Sequence, residues 1–257
     1  MNDILLITSA NGVATLTLNR PAQFNALSNE LLDAVSTQLD IIARDSSIKA
    51  VVIAAKGKAF CAGHDLKQMR KSAQKADHHQ LFAKCSSMMQ KITALPQPVI
   101  GKVQGMATAA GCQLVATCDM AITSSNATFA VSGIRVGLFC STPAVALSRN
   151  ISRKRAMEML MTGEFIDADT AERYGLVNSV VEPCKLDQAV DDLAASIIRH
   201  PRRVISLGKE MFYKQLDQGL AEAYNGAAET ISSNMMLDET IEGIDAFIEK
   251  RKPNWVD

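Results

Sequence analysis

The sequence predicts an α/β fold followed by a helical C-terminal region. Three observations carry this prediction. Ala50 to Ala55 is a continuous apolar run of strand length, suited to a sheet buried on both faces. Strand-like runs and helical stripes then alternate to about residue 123, the order of strand–helix–strand crossover units. After about Ser141 the pattern is mostly helical, and from Leu186 it is helical to the end. The expected division is an α/β core over 1–195 and a helical region over 196–257 that serves oligomerisation and covers the site.

Taken in order, Ile4 to Ile7 and Val13 to Leu18 read as a β-hairpin across Ser9-Ala10-Asn11-Gly12, with the turn at Asn-Gly. Asn19-Arg20-Pro21 breaks the second strand. Ser28 is placed to cap a helix with Glu30 in its first turn and Leu31, Val35, Leu39 and Ile42 as its apolar stripe. After the run ending at Ala55, Asp65 can cap a helix starting at Leu66. Asp77 opens another, with Leu81, Cys85, Met88 and Ile92 at helical spacing, stopped by Pro96 and Pro98. Val99 to Val103 and Cys118 to Thr123 are strands. Ser152 to Met161 and Asp167 to Arg173 are helices, the latter closed by Gly175, and Leu176 to Val181 is a last strand. Pro201, Gly219 and Asp238 punctuate the helical tail. Its apolar residues Val204, Leu207, Met211 and Met235-Met236-Leu237 need a surface to cover, on the core or on another subunit.

Two stretches invite a chemical reading: Ala59-Phe60-Cys61-Ala62-Gly63-His64-Asp65-Leu66 and Gln104-Gly105-Met106-Ala107-Thr108-Ala109-Ala110-Gly111-Cys112-Gln113. Each runs from a strand-like segment into a helical one and is crowded with small residues. Such turns bring free N–H groups and helix-dipole charge close to a ligand. Two of them could supply one N–H each to a single oxygen.

Composition removes several function classes. The 257 residues hold 27 Lys plus Arg and 27 Asp plus Glu, so no global field favours nucleic acid or a membrane surface. Aromatic residues are few and not interleaved with basic ones. No run of about eighteen apolar residues occurs, and the opening residues lack the pattern of a signal peptide, so a cytoplasmic protein is expected. The six cysteines are scattered without a CxxC pair; they read as reduced core thiols, with no metal site. Adjacent His78 and His79 would point about 100° apart on a helix, which fits a surface helix better than a metal site.

Leu18-Asn19-Arg20-Pro21 with Asn25-Ala26-Leu27, Phe60 to Leu66, Gly111-Cys112-Gln113-Leu114 with Cys118-Asp119, and the ending Ala246 to Asn254 together resemble the crotonase (enoyl-CoA hydratase/isomerase) superfamily. The resemblance spans nearly the whole chain and lies nearest the enoyl-CoA hydratase domain-containing branch. It implies a spiral of ββα units with a helical C-terminal region, a homotrimer or dimer of trimers, and an acyl-CoA substrate. No cofactor is implied beyond the coenzyme A of that substrate. Carried over by position, the backbone N–H groups of His64 and Ala110 form an oxyanion hole. Phe24, Ala26, Ala62, Asp65 and Leu66 line the coenzyme A groove, Lys67 lies near the phosphates, and Phe247 and Lys250 reach in from the C-terminal helix. The basic residues Lys56, Lys58, Lys67, Arg70 and Lys71 suit a ligand with several phosphate charges.

The departures bear on chemistry. Hydratases of this family use two glutamates; their positions fall here on Gln113 and Gly133. Neither residue can take up or deliver a proton, so efficient hydration is not expected. The acidic position of some isomerases and dehalogenases falls near Ser141, which with Cys140 and Thr142 stands as an acyl-site candidate; alternatively Ser141 or Thr142 caps a helix before Pro143. Ala-Gly-His-Asp is similar to the decarboxylase branch, whose reaction needs no glutamate pair. The expectations are an enolate-stabilising acyl-CoA enzyme, an acyl-CoA-binding protein with little turnover, or a decarboxylase or thioester hydrolase.

Overall fold

The computed structural model describes residues 3–255; Met1 and Asn2, part of the stretch read for a signal peptide, lie outside them. β1 (Leu5–Ala10) and β2 (Val13–Leu18) pair antiparallel from Leu5 opposite Leu18 to Ala10 opposite Val13. Asn11 and Gly12 both take positive φ, 50° and 79°, the turn that matches strand twist in a two-residue loop. The first strand therefore continues through Ser9 and Ala10, which the sequence reading gave to the turn.

α1 (Asn29–Arg44) is capped by the Ser28 side chain, which accepts from the Leu31 N–H, and it buries Leu31, Leu32, Val35, Leu39 and Ile42. Then follow β3 (Ala50–Ala55), β4 (Ala59–Cys61), the one-turn α2 (Leu66–Met69) and the long α3 (Lys75–Ala94). α3 starts two residues before Asp77, which instead lies in its first turn, where a carboxylate faces the positive end of the helix. β5 (Val99–Val103), β6 (Met106–Thr108) and α4 (Ala110–Thr117) form the next unit, and β7 (Met120–Ser124) and β8 (Thr128–Ala130) begin another. β7 starts two residues later than expected because the Cys118 N–H still bonds back to Leu114 and Val115. α5 (Ser141–Asn150), α6 (Arg153–Thr162), β9 (Ile166–Asp167), α7 (Ala168–Tyr174) and β10 (Ser179–Val181) complete the core. α8 (Leu186–Ile198), α9 (Arg202–Leu216), α10 (Leu220–Asn234) and α11 (Asp238–Ile248) make up the tail.

The strands build two sheets. One has the order β1-β2-β3-β5-β7-β10, parallel except for the hairpin; the other has β4-β6-β8-β9, parallel except for β8 with β9. β3 with β4, β5 with β6 and β7 with β8 each give one strand to each sheet. That is the spiral of ββα turns. Its consequence is that the ends of β4 and β6, neighbours in the smaller sheet, deliver their following turns side by side.

The continuous apolar run in β3 is explained by burial on both faces. Val51 and Ile53 join the main core with α1 and α3, whereas Val52 and Ala54 meet Leu186, Val190 and Ala194 of α8 on the far side. α9 is fastened to the core by a buried cation. Lys209 Nζ reaches Asp119 Oδ2 at 2.6 Å and the carbonyls of Ile92 and Gln97 at 2.9 and 3.0 Å, and the Tyr213 hydroxyl donates to Asp119 Oδ1 at 2.6 Å. Burial lowers the Lys209 ammonium pKa, while the Asp119 charge works the other way to hold its proton.

Candidate active site

Asn25 organises the first half of the site. It is fully buried with a positive φ of 55°, its amide nitrogen donates to the carbonyls of Lys56 and Ala59 at 2.8 Å, and its Oδ1 accepts from the Arg20 N–H at 2.8 Å. This clamps the 20–27 loop against β4. Backbone bonds continue the seam: Ala62 N–H to the Phe24 carbonyl, Leu27 N–H to the Gly63 carbonyl, and Asp65 N–H to the Leu27 carbonyl. Leu27 thus bridges to His64 in parallel fashion, bonding to the residues on either side of it. In such a bridge the N–H of His64 points to the opposite edge.

The opposite edge is the second turn. A Cβ placed on Gly63 would lie 3.2 Å from Ala110 N, 3.1 Å from the Thr108 carbonyl oxygen and 2.9 Å from Ala109 Cβ. A Cβ on Gly111 would lie only 2.0 Å from the Cys61 carbonyl, so only glycine lets α4 approach β4 this closely. Ala110 is the first residue of α4, where an N–H has no intrahelical acceptor. Ala109 before it holds φ 51° and ψ −120°, a conformation glycine favours and alanine adopts only under strain. That turn aims the α4 N-terminus at the first stretch. Thr108 and Ser132 share a 2.7 Å hydrogen bond that braces the same turn. The two expected donors, His64 and Ala110, are therefore brought together.

Ala26, Ala62 and Asp65 gather along this seam with Phe24. Arg20 pairs with Asp65 at 3.0 Å and also donates to the Ala26 carbonyl, and Asp65 caps α2 through Gln68 N–H. Burial raises the Asp65 pKa, but the Arg20 contact and the Gln68 N–H outweigh it and the carboxylate sits below its usual range. Leu66 and Lys67 are exposed on α2, and Lys58 stands over the Phe24 ring at 5.3 Å. Phe247, 85% exposed, and Lys250 lie at the end of α11. Among the described residues no hydrogen bond or ion pair joins them to the 62–67 turn.

The positions expected to carry acids take an unforeseen form. Gln113 lies one turn into α4, 4% exposed, with its Oε1 buried and without a hydrogen-bond partner. Gly133 is buried in a 3₁₀ helix over Ser132–Val136. A Cβ there would fall 2.3 Å from the Leu138 carbonyl oxygen and 2.7 Å from Cys140 Sγ. The seat of a side chain at 133 is filled by Cys140, whose sulfur also accepts from the Gly133 N–H at 3.3 Å. Burial raises the Cys140 thiol pKa, which suits a packing group rather than a nucleophile. Neither Ser141 nor Thr142 caps α5. Cys140 holds that position, and Ser141 is its exposed first residue.

His64 carries its imidazole inward. Both ring nitrogens are buried without a hydrogen bond, and the ring meets Phe82 edge-on at a centroid distance of 5.3 Å. Burial pushes its pKa down to about 4; the nearby Leu27 carbonyl favours the charged form but too weakly to offset it. The imidazole is neutral at pH 7. Five of the six cysteines are buried, and burial raises the thiols of Cys61, Cys85 and Cys112 to about 12. Two surface cavities of 360 and 460 Å³ occur, one beside α2 and α3, the other between α3 and α9; neither is lined by His64, Ala110 or Gln113. Among the described residues no cluster of metal-ligating side chains forms, and no helix is long and apolar enough to cross a membrane.

A family model described as enoyl-CoA hydratase/isomerase matches residues 8–257. The chain is 44% identical over 246 residues to the mitochondrial enoyl-CoA hydratase domain-containing protein 3 of Rattus norvegicus, covering 95% of this chain and 82% of that one. The crystal structure of an enoyl-CoA hydratase from Mycobacterium smegmatis superposes with a TM-score of 0.98 at 52% identity, over 99% of both chains. The human enoyl-CoA hydratase domain-containing protein 3 superposes with a TM-score of 0.96 at 42% identity, over 98% of this chain and 100% of that one.

Proposed function

The chain belongs to the enoyl-CoA hydratase/isomerase family, and from that premise we propose that it binds an acyl-CoA and stabilises the enolate of the thioester between the N–H groups of His64 and Ala110. One observation carries the reading: the two turns abut so closely that a Cβ on Gly63 would stand 3.2 Å from Ala110 N. Both donors then face one oxygen. As an enolate forms, negative charge moves from the α carbon onto the thioester oxygen, and two fixed N–H dipoles meet it without reorganising. Phe24, Ala26, Ala62, Asp65 and Leu66 form the wall of the coenzyme A groove in this reading, with Lys67 toward the phosphates. Phe247 and Lys250 reach a groove only if α11 moves or a neighbouring copy supplies them, which fits the proposed homotrimer or dimer of trimers. We place the protein in the cytoplasm, as the sequence reading does; the rat relative is named mitochondrial, and cell fractionation decides between the two.

Gln113 and Gly133 leave the acyl site without a carboxylate, so crotonyl-CoA hydration is expected to run close to the solvent background. Loss of CO₂ from malonyl- or methylmalonyl-CoA generates the enolate directly and needs no such base; that absence is what favours the decarboxylase as a second reading. An acyl-CoA-binding protein with little turnover is the outcome if neither reaction proceeds. The test of the donor pair is Ala110→Pro. Proline is tolerated at the first position of a helix; it removes the N–H and puts its ring Cδ where the oxygen would sit. Turnover of whichever substrate the wild type uses is expected to fall about 10²–10³-fold with the fold retained. An unchanged rate in a folded variant would remove Ala110 from the mechanism.

A further inference from the structure

Resting on the acyl-CoA reading above, we propose that Gln68 is a positioning residue: its amide clips α2 to the N-terminus of α1 and so fixes the part of the coenzyme A wall made by Leu66 and Lys67. α2 needs such a fastening. It is a single turn in which no residue is buried; Leu66 and Lys67 are exposed, and only the half-buried Met69 packs against the main core. One isolated turn has almost no helical stability of its own, so contacts from outside must hold it. The 360 Å³ cavity, lined in part by Asn29, Gln68, Met69, Ser72 and Leu81, opens beside it and leaves that side without packing.

Polar bonds supply the fastening. Gln68 Oε1 accepts from the Asn29 N–H at 2.8 Å, and Gln68 Nε2 donates to Glu30 Oε1 and Oε2 at 3.3 and 3.4 Å. The first bond is short and partly buried; the other two are long and exposed, so the first carries most of the clip. Asn29 is the first residue of α1, whose N–H no carbonyl within the helix can take, so Gln68 completes from a distance the cap that Ser28 makes on Leu31. The Gln68 N–H goes to Asp65 Oδ1 at 3.1 Å, and Asp65 is paired with Arg20. Gln68 therefore ties α2 to α1 and, through Asp65, to the 20–27 loop. An amide suits this place because it accepts from a backbone N–H and donates to a carboxylate at the same time. A glutamate would keep the first bond and set a second negative charge against Glu30. A leucine would make neither bond.

Isothermal titration of the full chain with butyryl-CoA and with coenzyme A alone tests the clip. Gln68→Leu is expected to weaken both ligands about fivefold or more, because apparent affinity falls with the fraction of molecules that hold the binding arrangement. The two losses are expected to match, since α2 walls the coenzyme and not the acyl chain. Gln68→Glu is expected to weaken both as well. Combining it with Glu30→Gln exchanges amide and carboxylate at constant net charge and is expected to restore affinity to within about twofold of the wild type. Unchanged affinity in folded Gln68→Leu overturns the clip and leaves the acyl-CoA reading standing. A loss confined to butyryl-CoA overturns it too, as does a Gln68→Glu variant that binds like the wild type or whose loss the exchange does not relieve. The exchange pair alone decides if Gln68→Leu does not fold. Failure of the wild type to bind either ligand overturns the acyl-CoA reading and the clip with it.

Discussion

The buried ring of His64 carries a structural cost, and that cost can be measured. Its folded pKa is held at about 4, whereas an unfolded histidine titrates near 6.5. Between those values the unfolded chain binds the extra proton, so stability falls as pH drops from about 6.5 to about 4 and levels off below. The full difference corresponds to roughly 3 kcal/mol. His64→Phe is expected to flatten this slope in urea unfolding at pH 7 and pH 4.5; an unaltered slope would show that the ring titrates normally. Gly133 makes the second residue-scale point. The packing of Leu138 and Cys140 leaves no room for a Cβ, so Gly133→Glu does not return a catalytic carboxylate. It is expected to cost about 2–4 kcal/mol in the unfolding free energy and to leave crotonyl-CoA hydration at background, even combined with Gln113→Glu. A gain in hydration by the double variant would mean that the 132–140 segment yields more easily than its packing indicates.

At the scale of elements, the site depends on how the 20–27 loop, β4 and α4 are held together. The Asn-Ala-Leu segment was legible as a signature, but its physical role lies in Asn25, whose amide ties three backbone groups in a fully buried place. Asn25→Ala leaves the Lys56 carbonyl and the Arg20 N–H without this partner, while the Ala59 carbonyl keeps a second donor in Gln104 at 3.0 Å. The expected loss is about 1–2 kcal/mol, read as a lowered urea midpoint, because two part-buried backbone groups each lose a hydrogen bond worth about 1 kcal/mol. A loss under about 0.5 kcal/mol would indicate that water replaces the amide. Helix starts were readable where a side chain caps, as at Ser28, Asp65 and Asp167. At α3 and α5 the starts were read one or two residues late, because the caps Gln74 and Cys140 make no side-chain bond.

Across the whole molecule, the tail is incompletely covered. Lys209 and Tyr213 dock α9 on the core, yet Leu220, Tyr224 and Ile231 form an exposed apolar stripe on α10 at 76%, 70% and 63% exposure. The proposed assembly would cover these side chains. In light scattering after size exclusion the wild type is expected to elute as three or six copies of the 27.7 kDa chain, and Leu220→Lys with Ile231→Lys as a smaller species. A wild-type monomer would overturn the assembly and leave movement of α11 as the one way for Phe247 and Lys250 to reach the groove.

The sequence by itself determined the α/β class, the two small-residue turns, the Asn-Gly hairpin and the identities of Gln113 and Gly133. Each of these is written in local periodicity, in backbone permissiveness at particular residues, or in side-chain identity. Only the tertiary structure decided that Cys140 fills the place beside Gly133, that Ala109 bends the second turn against its own preference, and that both His64 ring nitrogens and Gln113 Oε1 are shut away from solvent. Those are contacts and orphaned groups created by segments distant in the chain. No pattern within one segment encodes what another segment will place beside it.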